Sequence, residues 1–427
     1  MFKVHSKKAA CAMICALGFQ LGTAGETNAN PSFSNPRALT VPTSLAPHEW
    51  QAFTDRFVAG DGRVIDVEKQ GVSHSESQAY GMLLAVKADD QATFDQILDF
   101  TFRKMRGRGD GLISWLYNPR AFPQIVDRNN ATDGDVIVAY ALVKAALKWD
   151  EPRYVRLATP LIEAIGRHLL KDEGEHVIVR PAAFGFGRQH HTDGPVVNLS
   201  YYIYDALHLF AHLNDRYPFA QAFESGLELT ATAMARSGGY APDWITLRRD
   251  RRYRPAHGFA KKSSYDAVRI PLYMALGGRV SAEHFVPFDR AWNVDGNRAP
   301  QDFDLHAGRV IMDMNDPGYR AIAALAACAA RNVPMPPSLQ RFRPTTYFGS
   351  ALHLMALSAA RVSFPHCVQG APHRGAPVAG LPPAMNVVAG SAPPRRPLTL
   401  DDMPGLGGRP LAPPPRTVAQ SAHFVMR

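Results

Sequence analysis

Two carboxyl groups can cleave a bond by acid and base action when one keeps its proton near neutral pH and the other stays ionised. Three segments of this 427-residue chain offer such groups. In Ser73-His74-Ser75-Glu76-Ser77-Gln78-Ala79-Tyr80-Gly81-Met82, either Ser73 or Ser75 can cap a helix, which places Glu76 in the first turn. The helix dipole favours a carboxylate there, so Glu76 taken alone reads as structural. Service as an acid would require burial or a second carboxylate nearby to lift its pKa.

Asn130-Ala131-Thr132-Asp133-Gly134-Asp135 precedes a strongly periodic apolar run, with Thr132 or Asp133 as the expected N-cap. Asp-Gly-Asp spacing resembles part of a calcium loop, but the chain passes straight into Val136-Ile137-Val138 without the later acidic ligands. A plain cap and a carboxylate facing a cleft both remain open. In Lys262-Ser263-Ser264-Tyr265-Asp266-Ala267-Val268-Arg269, Asp266 and Arg269 are three apart and would share a helical face. A guanidinium keeps an aspartate ionised, as a general base requires, and an ordinary helix ion pair has the same pattern. Trp115, Tyr201, Tyr202 and Trp244 stand near polar turns where an aromatic ring could stack on a sugar or simply fill the core.

Other chemistries lack their patterns. His190-His191 has no zinc-site spacing, Gly185-Phe186-Gly187 is not set between a strand and a helix, and no Gly-x-Ser-x-Gly or Walker sequence occurs. Neither a metal nor a cofactor is expected.

The elements that must position these residues are helical. Val138, Ala139, Leu142, Val143 and Ala146 mark one apolar face, and Leu157, Leu161, Ile162, Ile165 and Leu169 another. Helices are also expected over Ser75–Lys87, Ala92–Lys104, Tyr201–Leu213, Ala220–Arg236, Tyr319–Ala330 and Tyr347–Arg361. Loops rich in Gly, Pro, Asn and Asp fall at 107–111, 184–194 and 294–300, and strand-like alternation is scarce. Residues 46–363 therefore read as one all-α domain with long loops.

Residues 1–29 read as an export signal, with Lys3, Lys7 and Lys8 before the apolar Ala9–Leu21 and small residues at Ala24 and Ala29. Residues 30–45 form a lead segment, and the proline-interrupted 364–427 a disordered tail. Such a protein is periplasmic or secreted, with no membrane span in its mature part. Cys328 and Cys367 would be its cysteines, able to pair or to stay free. The formal charge of +9 invites a polyanionic partner. The cations are scattered, however, and the densest stretch, Arg248 to Arg254, carries no nucleic-acid-reading motif. No nucleic-acid partner is expected.

Taken together and in this order, the three acidic segments resemble glycoside hydrolase family 8, nearest to the periplasmic endoglucanases that accompany bacterial cellulose synthases. Ala131-Thr132-Asp133-Gly134-Asp135, continuing to Leu142, Ala145 and Trp149, is similar to the family's signature helix. Ser75–Met82 looks like the segment with the proton donor, and Ser264–Arg269 like that with the base. Asn198-Leu199-Ser200-Tyr201 and Gly239-Tyr240-Ala241-Pro242-Asp243-Trp244 add to the resemblance, which covers residues 46–361. Departures from the family pattern are Ser77 for a glycine, Val138 for Ile or Met, and Leu199 for a proline.

The resemblance implies an (α/α)6 barrel and inverting hydrolysis of β-1,4-glucan. Glu76 would be the proton donor, Asp266 the general base, and Asp133 would hold and distort the sugar. Tyr201 and Arg269 would orient Asp266, while Trp115 and Trp244 would be stacking platforms. An inverting pair leaves about 6.5–9.5 Å between carboxyl groups for the attacking water. The implied partner is a β-1,4-glucan such as cellulose, with cellulose synthase or its export machinery suggested by the likeness. Chitosan, xylan and mixed-linkage glucan are alternative substrates, and a non-catalytic glucan-binding export component is the alternative from another class.

Overall fold

A computed structural model of the chain describes residues 41–248, 253–294 and 297–368. The export-signal reading, most of the lead segment, the centre of the basic stretch and all but the first residues of the proline-rich tail lie outside these. Eleven α-helices are present among the described residues. They are α1 (Pro47–Phe57), α2 (Ser75–Ala88), α3 (Gln91–Met105), α4 (Thr132–Trp149), α5 (Pro152–Leu169), α6 (Tyr204–Leu213), α7 (Phe219–Arg236), α8 (Arg269–Ala275), α9 (Val286–Trp292), α10 (Pro317–Arg331) and α11 (Tyr347–Ser363).

Helix α2 packs on α4, α4 on α6, α6 on α8, α8 on α11, and α11 returns to α2, closing a ring. Helix α3 packs outside α2, α5 outside α4 and α7 outside α6, while α10 packs against α8, α9 and α11. The alternation of inner and outer helices is that of an (α/α)6 barrel, of which these contacts trace five inner members. Composition sorts the layers: α2 and α4 are buried along nearly their whole length, whereas α5 keeps an apolar stripe of Leu161, Ile162, Ile165 and Leu169 against exposed polar residues.

Local chemistry sets the helix ends. Asp90, Asp316 and Thr346 cap α3, α10 and α11 by accepting backbone N–H groups from Thr93, Gly318 and Gly349. The caps expected for α2 and α4 are different. His74 is the N-cap of α2, with the Ser77 hydroxyl accepting its backbone N–H at 2.9 Å, and Ala131 is the N-cap of α4. Thr132 instead donates to the Arg180 carbonyl at 2.6 Å.

The sequence pattern also underread the strands. Short strands β1 (Ser73–His74) and β2 (Leu116–Tyr117) pair before α2, and β3 (Leu170–Glu173) and β4 (His176–Val179) form a hairpin after α5. Strands β5 (Val196–Asn198), β6 (Trp244–Leu247) and β7 (Tyr253–Pro255) make one antiparallel sheet, with Asn198 opposite Trp244. Strand β8 (Lys262–Ser263) opens another. Two to five residues leave too little alternation to register as strands. They nevertheless fix the loops: β5 runs into Tyr201 and β8 into Asp266.

Candidate active site

The inner helices α2, α4, α6, α8 and α11 bring their N-termini to the same neighbourhood. Glu76 lies in the first turn of α2 and Asp133 in the first turn of α4. Tyr201 closes the 3-10 turn before α6, Asp266 precedes α8, and Arg269 is the first residue of α8. Helix N-termini attract carboxylates, so the barrel end is suited to collect acidic groups.

One side chain ties them together. Arg269 is completely buried; its Nη1 donates to Glu76 Oε1 and to Asp133 Oδ2, the latter at 2.9 Å, and its Nη2 donates to Asp266 Oδ1. The planar guanidinium can do this because its nitrogens form a rigid fork. Its face lies 5.8 Å from the ring centroids of both Tyr201 and Phe348, which accommodate the buried cation. The sequence reading paired Arg269 with Asp266 alone, since the contacts to Glu76 and Asp133 span 193 and 136 residues.

Environment separates the acids. Glu76 is 4% exposed, and burial pushes its pKa up to about 8; Arg269 opposes that rise while Asp133 and Asp266 add to it. Burial also raises Asp133, against the pull of Arg269. The Asp266 side chain, at 16% exposure, is the most open of the three. The two acidic residues of the Asp-Gly-Asp segment diverge, because Asp135 accepts the Ile113 N–H and the Asn130 side-chain amide, each at 2.8 Å. They do not converge on one cation.

Close helix approach makes the cluster possible. A Cβ on Gly134 would stand 2.2 Å from Ser75 Oγ and 2.9 Å from the Ser75 carbonyl carbon, so α4 meets the start of α2 where only glycine fits. Ser77, the residue found where the family pattern has glycine, is fully buried; its hydroxyl accepts from His74 N–H and can donate to the Val64 carbonyl at 3.0 Å. It fastens the turn that carries Glu76.

The tryptophans divide. Trp115 is half-buried, its carbonyl accepts the Ser75 N–H at 2.8 Å and its indole N–H donates to Asp127 at 2.8 Å, so it stands at the mouth of α2. Trp244 is 5% exposed, with its ring stacked at 5.9 Å on Phe186 and 4.8 Å on Phe259. Tyr201 meets the acids through the Arg269 guanidinium instead of a hydrogen bond to Asp266.

Three further residues belong to the cluster. Tyr80 donates to Glu76 Oε1 at 2.9 Å, Tyr273 bonds the Tyr80 hydroxyl, and Asp243 Oδ1 accepts the Ser264 and Ala267 N–H groups at 2.7 and 2.9 Å, bracing the turn that carries Asp266. Burial, then the charge of Asp266, holds Asp243 well above the usual carboxylate range. The available signal for the tyrosines was helical spacing: Tyr80 is four residues after Glu76, and Tyr273 four after Arg269.

Comparison with known proteins identifies the family of the whole chain. A "Probable endoglucanase" of Novacetimonas hansenii is 31% identical over 305 residues, 71% of this chain and 87% of the relative. A GH8 endo-beta-1,4-glucanase from an Achatina fulica gut metagenomic library superposes with a TM-score of 0.66 at 29% identity, covering 75% of this chain and 99% of that one. Endo-beta-1,4-glucanase CMCax from Acetobacter xylinum gives 0.65 at 28%, covering 76% and 98%. The model of the glycosyl hydrolases family 8 matches residues 29–361, and the chain belongs to that family.

Proposed function

We propose that this protein hydrolyses internal β-1,4-glucosidic bonds of a cellulose-like glucan with inversion, using Glu76 as proton donor and Asp266 as general base. The observation that carries this reading is one buried guanidinium shared by Glu76, Asp133 and Asp266. Arg269 and Tyr80 both donate to Glu76 Oε1, so the acidic proton resides on Oε2. That proton passes to the glycosidic oxygen as the bond to the anomeric carbon breaks. A water on the opposite face attacks that carbon and gives its proton to Asp266.

The step moves one negative charge from Asp266 to Glu76, and Arg269 touches both, so it compensates the charge before and after without moving. Asp133, on the same nitrogen as Glu76, is placed to hold sugar hydroxyls and to keep Glu76 protonated by its charge. Trp115 is the proposed platform at the mouth.

An exported location is part of the proposal. It rests on the leader-like residues 1–29 and is supported by the disulfide between Cys328 and Cys367, since such bonds persist in oxidising compartments. No helix among the described residues is long and apolar enough to cross a membrane. The resemblance of the three acidic segments to the periplasmic endoglucanases that accompany bacterial cellulose synthases makes nascent cellulose and its synthesis machinery the proposed biological setting.

The test is the anomeric form of the first products from cello-oligosaccharides and carboxymethylcellulose, with chitosan and xylan in parallel. α-Anomers are expected, and Glu76→Gln and Asp266→Asn should each lower turnover by about 10²–10⁴-fold. β-Anomers, or near-normal turnover by either folded variant, would refute the assignment.

A further inference from the structure

Beneath Glu76 lie two hydroxyls that the bond-breaking step does not consume. Tyr80, one turn after Glu76 on α2, and Tyr273, one turn after Arg269 on α8, are both fully buried. Helical side chains lean towards the N-terminus, so each phenol reaches back under the group one turn before it. Tyr80 donates to Glu76 Oε1 at 2.9 Å, and the two phenols bond each other across the α2–α8 contact. A phenol has a single proton to donate. With Tyr80 committed to Glu76, Tyr273 is the donor between the tyrosines, and the order runs Tyr273 to Tyr80 to Glu76.

We propose that Tyr80 and Tyr273 are positioning residues, a two-membered relay that keeps Glu76 Oε1 turned inward and its proton on Oε2, facing the scissile bond. The proposal rests on the reading of Glu76 as the acid. Other ionisable groups face Glu76 as well: Arg269 from α8, Asp133 from α4, Asp266 before α8, Tyr201 before α6 and Tyr347 from α11. Of all these only Tyr80 and Arg269 hydrogen-bond to it, and the buried Tyr347 hydroxyl has no hydrogen-bond partner. Bonds in series polarise one another, so Tyr273 strengthens the donation made by Tyr80. Such donation favours the charged carboxylate over the neutral acid, and its loss makes Glu76 hold its proton to higher pH.

The experiment is the pH profile of kcat/KM and kcat for wild type, Tyr80→Phe, Tyr273→Phe and the double variant, with melting curves to verify folding. Tyr80→Phe should move the basic limb up by about half to one pH unit, from the difference between hydrogen bonds to charged and neutral acceptors. It should lower kcat with little change in KM. Tyr273→Phe, which leaves the bond to Glu76 in place and is the fallback if Tyr80→Phe does not fold, should shift the same limb less. The double variant should match Tyr80→Phe alone, because Tyr273 reaches Glu76 only through Tyr80. Basic limbs that stay put, or two shifts that add, would overturn the relay. Including Glu76→Gln separates the failures: an active Glu76→Gln overturns both readings, whereas an inactive one with unmoved tyrosine profiles overturns the relay alone.

Discussion

Gly134→Ala sets helix propensity against tertiary packing at the point where the site is assembled. Alanine in a helix is worth up to about 1 kcal/mol over glycine, so propensity alone predicts a gain in stability. The added Cβ, however, would lie 2.2 Å from Ser75 Oγ, 2.7 Å from Ser75 Cβ and 2.9 Å from its carbonyl carbon. The hydroxyl can rotate away, but the Cβ and backbone carbon cannot. Restoring ordinary contact of 3.4 Å to both, from 2.7 and 2.9 Å, requires α2 and α4 to separate by about 0.7 Å. Overpacking of this kind costs about 1–3 kcal/mol, leaving a net loss near 0–2 kcal/mol after the propensity gain. Activity should suffer far more. Glu76 follows Ser75 directly and Asp133 precedes Gly134, so the separation falls on two ligands of one rigid guanidinium. A misplacement approaching 1 Å costs about 10²-fold in rate. The assay is kcat on cello-oligosaccharides beside thermal melting, with Gly107→Ala as control because its Cβ would meet nothing within 4 Å. Wild-type kcat in Gly134→Ala would refute the claim that this close approach sets the acid's position.

Glu76, the proposed acid, also makes stability depend on pH. Its carboxyl, raised from 4.5 to about 8 chiefly by burial, keeps its proton in the folded state over a range where the unfolded chain has lost it, so stability falls as pH rises through that window. Glutamine has no proton to lose, and Glu76→Gln should therefore melt above wild type by a margin that widens from pH 4.5 towards 8; a margin constant across that range would reject the buried neutral acid. The Cys328–Cys367 bond closes a separation of 39 residues and ties the segment after α11 to α10. Chain-entropy reasoning makes it worth about 4 kcal/mol, so reductant or Cys328→Ala with Cys367→Ala should lower the unfolding midpoint accordingly, and an unchanged midpoint would show that the segment is held by other contacts.

Helices α5 and α7 emerge from periodicity because a half-buried helix must segregate polar from apolar residues. Helices α2, α4, α10 and α11 are buried along most of their length and were legible through apolar runs long enough for a helix. Helix α8, Arg-Ile-Pro-Leu-Tyr-Met-Ala, is buried at every position and so carries no face contrast, and α1 and α9 went unread as well. The short strands beside the site loops were missed for want of length.

Sequence alone determined the identity of the acidic groups and the order of their segments, since carboxylates in the first turns of helices and an Asp266-Arg269 spacing are local facts. It did not determine which acid would hold its proton, because that depends on burial and on neighbours brought from afar. Only the tertiary structure decided that Arg269 serves Glu76 and Asp133 as well as Asp266, that Tyr80 and Tyr273 stand in series beneath the acid, and that Trp244 is enclosed. The physical reason is the barrel itself: helices whose sequences are separated by 136 to 193 residues bring their N-termini together, and a pKa responds to distance in space rather than along the chain.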